Sequence, residues 1–506
     1  MRRLPCWMRR AARSLSTTRG VEAENDHLFP FVTAALFCGL IVLGAAFHEF
    51  WRDEAHTWLV LNESLSPGDL VERLGFCGHP KTWYLLLYGL KKLIDHRALL
   101  AVANVASMSI AVFLLARAAP LAKHQKLLFC LGFFPLYQYG LVCRPYGLIV
   151  ALLFAYCSVR PRLHESPIAA AIVLAFLASI HALSLILSGV LVVLAAFDSW
   201  RSKVRPRAGQ LLPAMIIVLV SWGITTYQLI PPEDLSIQHA GARDPLFVFQ
   251  GLANGFLPRF GLLHLHPAVQ VTIGLLLWAV SWCCFLRQPM GFATYAFLSL
   301  ALVMFMFFVY RGAPWHHGFF FISVIVAYWI AFTGVKPDRL ARAALTVILA
   351  FLAVSGAYAY ASDLILPSSG GKFAAERIQT QGLDELPRVG LKIRETSRYR
   401  WEIDSIQSTL AYLRDPSIYD PVSGSFVSYW SHYGDRSYFR RRSIEAVIED
   451  LSSLTGRFGV DILVIAARPR GWDRADLPAP FRKIEDIPSG FYYGENISLF
   501  LFPRDR

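Results

Sequence analysis

The sequence FPFVTAALFCGLIVLGAAF (29–47) runs directly into HEFWRDEAHTWLV (48–60). The first stretch is almost entirely apolar and is close to the roughly 20 residues that a helix needs to cross a bilayer. The second stretch brings acidic, basic and aromatic side chains together at the end of that helix. Together, the two stretches predict a membrane span that is followed directly by a charged segment.

Apolar stretches of this kind recur up to residue 361. The 506 residues are 55% apolar and 17% charged, and the mean hydropathy is +0.43, whereas a soluble domain carries about 25% charged residues. This composition excludes collagen-like, disordered and small disulfide-rich classes, and it predicts an α-helical polytopic membrane protein with about 11 transmembrane helices. The predicted spans are 29–47, 98–116, 125–143, 147–159, 168–181, 183–197, 210–230, 267–286, 290–310, 317–334 and 343–361.

The distribution of Lys and Arg predicts the orientation of these spans. Basic residues cluster before the first span and in alternate connections, which places all of these clusters on the cytoplasmic side. We therefore predict a basic cytoplasmic arm (1–28), a transmembrane domain (29–361) with a large first outer loop (48–97), and an extracytoplasmic tail (362–506). Within the outer loop, residues 80–95 predict an amphipathic helix that lies in the membrane interface.

The tail has the composition of a water-soluble domain. RVGLKI (388–393) and DILVIAA (461–467) predict buried strands, and GGKFAAERIQTQ (370–381) and IEAVIEDLSSL (444–454) predict amphipathic helices. This alternation indicates a small α/β domain. The tail contains neither a GxGxxG nor a P-loop motif, so we predict no nucleotide site there.

The net charge of +13 would suggest a nucleic-acid partner in a soluble protein. Residues 362–506, however, contain 20 Lys+Arg and 20 Asp+Glu, so the whole excess lies in the membrane part. We interpret the charge as a topology signal and expect contact with membrane lipids and no nucleic-acid partner.

The eight cysteines lie mostly in apolar stretches and form no CxxC motif, which argues against a zinc site. Cys77 and Cys143 lie near predicted outer loops. We considered a disulfide between them and prefer two unlinked thiols.

The first candidate site residues are Asp53 and Glu54, directly after the first span. Charges held close to lipid are costly and are therefore functional or paired. Two adjacent carboxylates could supply a general base and an electrostatic or metal-binding partner, with Mg²⁺ or Mn²⁺ as the metal. The alternative is a solvated loop start in which Asp53 pairs with Arg52.

His79 and Lys81 form a second candidate because His79-Pro80-Lys81 starts the predicted interfacial helix, with Pro80 in its first turn, and the N-terminal end of a helix favours anions. They could hold a phosphate at the membrane surface. The alternative for Lys81 is a side chain that reaches towards lipid headgroups without further function.

The remaining candidates lie in short outer turns: Arg144, His181, Arg311, His316 and His317. An arginine with two histidines suits a phosphodiester or dianionic group. The alternatives are lipid headgroup binding by Arg144, helix capping by His181, and a metal site on the histidine pair. Since a carrier would place ionisable groups near the bilayer midplane, the pattern favours a surface site for a lipid with an anionic head.

The order of these features resembles the GT-C superfamily of membrane glycosyltransferases. An Asp-Glu-Ala tripeptide opens the outer loop, an HP…YLLLYGL helix follows, and an R-P-Y-x-L turn comes two spans later. The HHGF turn and the PSSGGK entry into the tail are also similar to bacterial members. Within the superfamily, the chain is most similar to the bacterial glycosyltransferase family 39-like branch, which is related to protein mannosyltransferases and the lipid A aminoarabinose transferase.

The resemblance implies a polyprenyl-phosphate-linked sugar as donor, used at the outer face of the cytoplasmic membrane. The family's first-loop base maps onto Asp53 with Glu54 beside it, its charged helix start onto His79 and Lys81, and its arginine turn onto Arg144. The chain departs from the pattern in carrying His-Pro-Lys where related members have Lys-Pro-Pro or His-Pro-Pro. It also lacks the acid that many members have shortly after the arginine.

The resulting hypothesis is an inverting glycosyltransferase whose acceptor is a glycan, a lipid or a protein. Three other classes remain as alternatives: a flippase or exporter of lipid-linked glycans, an O-antigen ligase or polymerase, and a non-catalytic scaffold with a receptor-like tail. The sequence argues against the first because its spans contain few ionisable residues, and against the second because the long polar loop follows the first span.

Overall fold

The computed structural model describes residues 27–202, 208–230, 244–258, 266–395, 398–430, 440–468, 476–487 and 496–504. Nearly all of the predicted cytoplasmic arm, the basic cluster at 203–207 and Cys6 lie outside these ranges. The described residues fall into two compact units. The first contains most of the apolar helices, and the second joins Ala46–Leu100 to the chain from Ala361 onward.

Seven helices in the described part of the chain are long and apolar enough to cross a membrane. They are Leu28–Phe47, Ala98–Ala118, Ala182–Arg201, Gly209–Leu229, Pro289–Val309, Pro314–Phe332 and Arg339–Ile365. Each coincides with a predicted span, so the polytopic membrane character is confirmed. The predicted count of eleven spans is not confirmed.

The other four predicted spans are shorter helical segments. Residues 147–159, 168–181 and 267–286 correspond to the helices Tyr146–Val159, Pro167–Ala178 and Pro267–Trp282. The span predicted at 125–143 is divided into the α-helix Lys123–Cys130 and the π-helical segment Phe133–Gln138. Gly132 and Pro135 explain the division, because glycine favours the end of a helix and proline cannot donate a backbone hydrogen bond within one.

Several helices of the first unit begin at a proline, which has the right φ for a first helical turn and no N–H to leave unsatisfied. An example is Pro245–Phe256, where Asp244 Oδ1 accepts a hydrogen bond from Leu246 N at 2.9 Å. The helix Pro314–Phe332 is the most enclosed: every side chain from His316 onward is buried. It packs against the Pro289–Met304, Pro245–Phe256 and Tyr146–Val159 helices and forms the centre of the unit.

The second unit contains a seven-stranded mixed sheet in its described residues. Its strands are β1 (Arg388–Glu395), β2 (Arg398–Trp401), β3 (Ile418–Asp420), β4 (Ser425–Val427), β5 (Ile462–Arg468), β6 (Arg482–Ile487) and β7 (Asn496–Phe502). The strand order is β4-β3-β1-β5-β7-β6, with β2 paired to β1. Strand β1 is parallel to β3 and β5, and the other pairings are antiparallel.

The predicted elements of the tail are confirmed. RVGLKI lies in β1, DILVIAA lies in β5 apart from its first residue, and the two predicted helices are Gly371–Thr380 and Ile444–Phe458. The latter starts with Ser443 Oγ accepting from Ala446 N and ends at Gly459, whose φ of +73° suits a glycine cap.

Residues 48–97, predicted as an outer loop, pack with the tail in this second unit. They contribute the helices Arg52–Glu63, Pro67–Arg73 and Thr82–Lys91. The Arg52–Glu63 helix packs against the short helix Gln407–Leu410. Its acidic first turn therefore lies among side chains of the tail.

Candidate functional site

Asp53 lies in the first turn of the Arg52–Glu63 helix. Acidic side chains are favoured there because the unpaired backbone N–H groups carry partial positive charge. Asp53 Oδ1 lies 3.3 Å from Arg52 Nε, and its side chain is 24% exposed. The Asp53–Arg52 pair considered as the alternative is thus present, and the carboxylate stays accessible to a substrate.

Glu54 occupies a different environment, although it is the next residue. It is completely buried, and its Oε2 accepts hydrogen bonds from Trp51 N and from His48 Nε2, both at 3.2 Å. Successive helical residues point about 100° apart, which explains why two neighbouring acids have different partners. Glu54 stabilises the start of the helix, while Asp53 faces outward.

His48 links Glu54 to Asp363. Its Nδ1 lies 2.8 Å from Asp363 Oδ2, and all three side chains are buried. Burial disfavours the imidazolium form, but the two carboxylates outweigh this effect and hold the pKa of His48 well above its usual value. We therefore describe His48 as a cation that donates to one carboxylate from each ring nitrogen.

Glu49 forms a second buried contact with the tail. Its Oε2 accepts from Ser368 N at 2.8 Å and from Ser368 Oγ at 3.1 Å. Burial raises the pKa of Glu49, while the hydrogen bonds from Ser368 oppose the rise. The two residues directly after the first apolar helix, His48 and Glu49, thereby contact Asp363 and Ser368.

Asp404 belongs to the same group of charges as Asp53. Arg52 Nη1 donates to Asp404 Oδ2 at 3.1 Å, so one guanidinium serves both carboxylates. Burial raises the pKa of Asp404 to about 6, against the lowering effect of Arg52. Glu402 and Asp53 add to the rise. Asp53 is thus bordered by a second carboxyl group that titrates at mildly acidic pH.

His56 completes the polar contacts of this helix. Its Nδ1 donates to Gln407 Oε1 at 2.9 Å, and the same oxygen also accepts a hydrogen bond from Trp430 N. Its Nε2 lies 3.6 Å from Cys77 Sγ. Neither Cys77 nor Cys143 forms a disulfide, as we preferred from the sequence.

Lys81 is buried, with 4% exposure. Its Nζ donates to the carbonyl oxygens of Leu74 at 2.5 Å and His79 at 3.1 Å. Burial lowers its pKa. The helix starts at Thr82, so Pro80 precedes it rather than forming its first turn. These contacts place the Lys81 side chain within the 74–81 turn, and phosphate binding by His79 and Lys81 stays a prediction.

In the first unit, Arg144 lies in a compact buried turn. Asn104 Nδ2 donates to the carbonyl oxygens of Tyr139 at 3.0 Å and Gly140 at 2.7 Å. Arg144 N in turn donates to Val142 O at 2.9 Å. Arg144 is only 8% exposed, so a simple surface contact with lipid headgroups does not describe it.

His181 and His316 are brought together beside Tyr146. Their ring centroids are 5.4 Å apart, and Tyr146 Oη lies 3.2 Å from His316 Nε2. His316 Nδ1 accepts from Ala313 N and His181 Nδ1 accepts from Leu183 N, so each histidine caps the start of its own helix. Arg144 is an electrostatic neighbour of His316. The predicted residues Arg144, His181 and His316 therefore form one cluster, and the capping alternative for His181 is also realised.

His317 and Arg311 have contacts outside this cluster. His317 is buried, with its Nδ1 3.4 Å from Asn254 Nδ2. Arg311 is exposed, and its guanidinium lies 5.6 Å from the ring centre of Phe247. Neighbouring histidines on the Pro314–Phe332 helix thus have separate partners, which does not favour a shared metal ion.

Within the described ranges, no group of three or more His, Cys, Asp or Glu side chains is arranged to hold a metal ion. Metal binding by Asp53 and Glu54 stays a prediction.

Sequence reasoning missed His48, Asp363, Asp404 and Asn104. Asp363 had a recognisable signal, since it is the only acidic residue in the apolar helix Arg339–Ile365 and a lone carboxylate there needs a partner. The contacts of Asn104 and Asp404 depend on chain segments far apart in sequence and had no such signal.

Comparisons of the chain with protein-family models, with curated proteins and with solved structures give no significant match.

Proposed function

We propose that the chain is a GT-C-like membrane glycosyltransferase. It transfers a sugar from a polyprenyl-phosphate donor to an acceptor at the outer face of the cytoplasmic membrane, with the N-terminus inside and the tail outside. The seven apolar helices support the membrane location. The orientation and the family rest on the distribution of basic residues and on the sequence motifs.

The observation that carries the proposal is the contrast between Asp53 and the acids around it. Glu49, Glu54 and Asp363 are buried and hydrogen-bonded, whereas Asp53 presents a partly exposed carboxylate. A general base must reach the proton that it removes, so Asp53 is the acid of this group suited to that role. Arg52 and the buried first turn hold it in place.

In the proposed reaction, Asp53 accepts the proton of the acceptor hydroxyl while that oxygen forms a bond to the anomeric carbon. The bond between this carbon and the phosphate oxygen breaks, and the lipid phosphate leaves with the electron pair. A single displacement of this kind inverts the anomeric configuration. The negative charge that develops on the leaving phosphate requires cationic groups or hydrogen-bond donors beside it.

Replacement of Asp53 tests the proposal. We expect Asp53→Asn to lower transfer by about 10²–10⁴-fold, the usual contribution of a general base, while the protein still inserts and folds. Asp95→Asn is the matched control, because Asp95 is an exposed acid of the same outer segment whose side chain is 75% exposed. The readout is the glycolipid and envelope-glycan profile of a deletion strain that carries each variant.

Loss of one sugar from the profile of the deletion strain, restored by wild type and Asp95→Asn but not by Asp53→Asn, supports the proposal. Full restoration by Asp53→Asn contradicts the role of Asp53. Loss of the same sugar together with accumulation of the donor lipid on the inner leaflet would instead identify a flippase.

A further inference from the structure

A cavity of about 190 Å³ in the second unit has basic and aromatic walls. It lies between the Arg52–Glu63 helix, the turn that precedes the Ala98–Ala118 helix and the segment that follows the Gln407–Leu410 helix. Trp58 and Asn62 face it from the first of these, His96 and Arg97 from the second, and Arg414 from the third. Asp53 is absent from its lining, so this cavity is separate from the proposed base.

Among the described residues, the lining contains two arginines and a histidine but no carboxylate. Arg97 and Arg414 form no ion pair within the described residues, although both charges lie at the same cavity. The acids beside them in sequence have other partners: Asp415 Oδ2 lies 3.0 Å from Arg388 Nη2, and Asp95 lies 3.4 Å from Lys91 Nζ. The acids next to Arg97 and Arg414 in sequence are therefore paired with other basic residues.

Tyr412 sets the orientation of Arg97. The guanidinium carbon of Arg97 lies 4.4 Å from the centre of the Tyr412 ring, a cation–π contact. A guanidinium stacked by its face still has N–H groups at its edge, and that edge matches the oxygens of a phosphate or carboxylate. His96 Nδ1 accepts from Ala98 N at 3.2 Å, which directs its Nε2 away from the backbone.

The size of the cavity limits what it can hold. Sites that enclose a drug-sized ligand measure about 300–1,000 Å³, so this cavity suits one small group rather than a nucleotide. Trp58 and Asn62 provide an aromatic surface and an amide, the contacts that a sugar attached to the anion would use.

We infer that this cavity binds the phosphate or carboxylate of an anionic ligand through Arg97 and Arg414. The chemistry is common to a free anion and to the headgroup of an acidic lipid. The inference does not depend on the proposed glycosyl transfer, because none of its residues has a role in that reaction.

The first arm of the test uses the purified full-length protein in nonionic detergent and measures inorganic phosphate by equilibrium dialysis. The second arm measures retention of phosphatidylglycerol by the protein taken from nanodiscs of phosphatidylcholine mixed with phosphatidylglycerol. The variants are Arg414→Gln, Arg97→Gln and the double variant. The control is Arg482→Gln, which removes another exposed arginine of the same unit. Thermal unfolding verifies that each variant is folded, and Arg414 is exposed, so its replacement leaves the core intact.

We expect each arginine substitution to weaken binding by about tenfold in one of the two arms, since hydrogen bonds to charged groups have that effect. An effect on phosphate identifies a free-anion site, and an effect on phosphatidylglycerol identifies a lipid-headgroup site; either supports the inference. Binding in neither arm, or an equal loss in Arg482→Gln, overturns it.

Discussion

His48 Nδ1 lies 2.8 Å from Asp363 Oδ2, so a buried ionic hydrogen bond joins the residue after the first apolar helix to the end of the last one. Glu54 binds the other ring nitrogen at 3.2 Å. One cation thus compensates two carboxylates that come from separate parts of the chain. This arrangement fixes the turn from which Asp53 projects.

Replacing His48 should destabilise the protein strongly. His48→Gln leaves Glu54 and Asp363 buried without their shared cation, and removal of one partner of a buried pair costs about 3–5 kcal/mol. Thermal unfolding of the purified protein measures the loss. His124→Gln is the control because His124 is exposed, and an equal decrease in Tm for both variants would refute the assignment.

The same histidine predicts a pH dependence of stability. The pKa of His48 is raised in the folded protein, so its contribution to stability is complete below the unfolded value of about 6.5 and is lost as the pH rises through the folded value. Tm should therefore fall across this range in the wild type and fall less in His48→Gln. Parallel curves for the two proteins would contradict the prediction.

Gly318 should tolerate no larger side chain. A Cβ added there would overlap the Phe134 ring and the Tyr139 hydroxyl, and such overpacking costs about 1–3 kcal/mol. Gly318→Ala should lower Tm. Gly223→Ala, at a helical position where a Cβ meets nothing within 4 Å, should leave Tm unchanged or raise it, and the opposite order would contradict the packing described for the Pro314–Phe332 helix.

Replacing Asn104 with Asp should destabilise the protein more than replacing it with Ala. Asn104→Ala leaves the carbonyls of Tyr139 and Gly140 without their donor, at a cost of about 1–3 kcal/mol. Asn104→Asp adds a carboxylate facing these oxygens and should cost more. Thermal unfolding shows which of the two variants has the lower Tm. A larger decrease in Tm for the alanine variant would show that Asn104 acts by its volume alone.

The local elements were readable from the sequence because local physics determines them. The length of the apolar stretches predicted the seven long helices. The periodicity of hydrophobic residues, together with the flanking residues, predicted strands β1 and β5 and the helix Ile444–Phe458. The same criterion predicted one continuous span at 125–143, because the stretch is hydrophobic throughout. The helix is in fact interrupted around Gly132 and Pro135.

Part of the candidate site was readable as well. Asp53, Arg144, His181 and His316 stood out because ionisable groups beside apolar spans are costly, and the structure gathers the last three of them into one cluster. The burial of Lys81 was not readable, since a lysine at the end of a loop has the same sequence pattern whether it faces lipid or a pair of carbonyls.

The sequence by itself therefore determined the membrane character, the α/β nature of the tail and the set of candidate residues, since these follow from composition and periodicity. Only the tertiary structure decided their environments. It separated the partly exposed Asp53 from the buried Glu54, paired His48 with Asp363 and placed the charges of Arg97 and Arg414 at one cavity. The reason is that desolvation and ion pairing depend on residues hundreds of positions apart, whose contacts arise only when the chain folds.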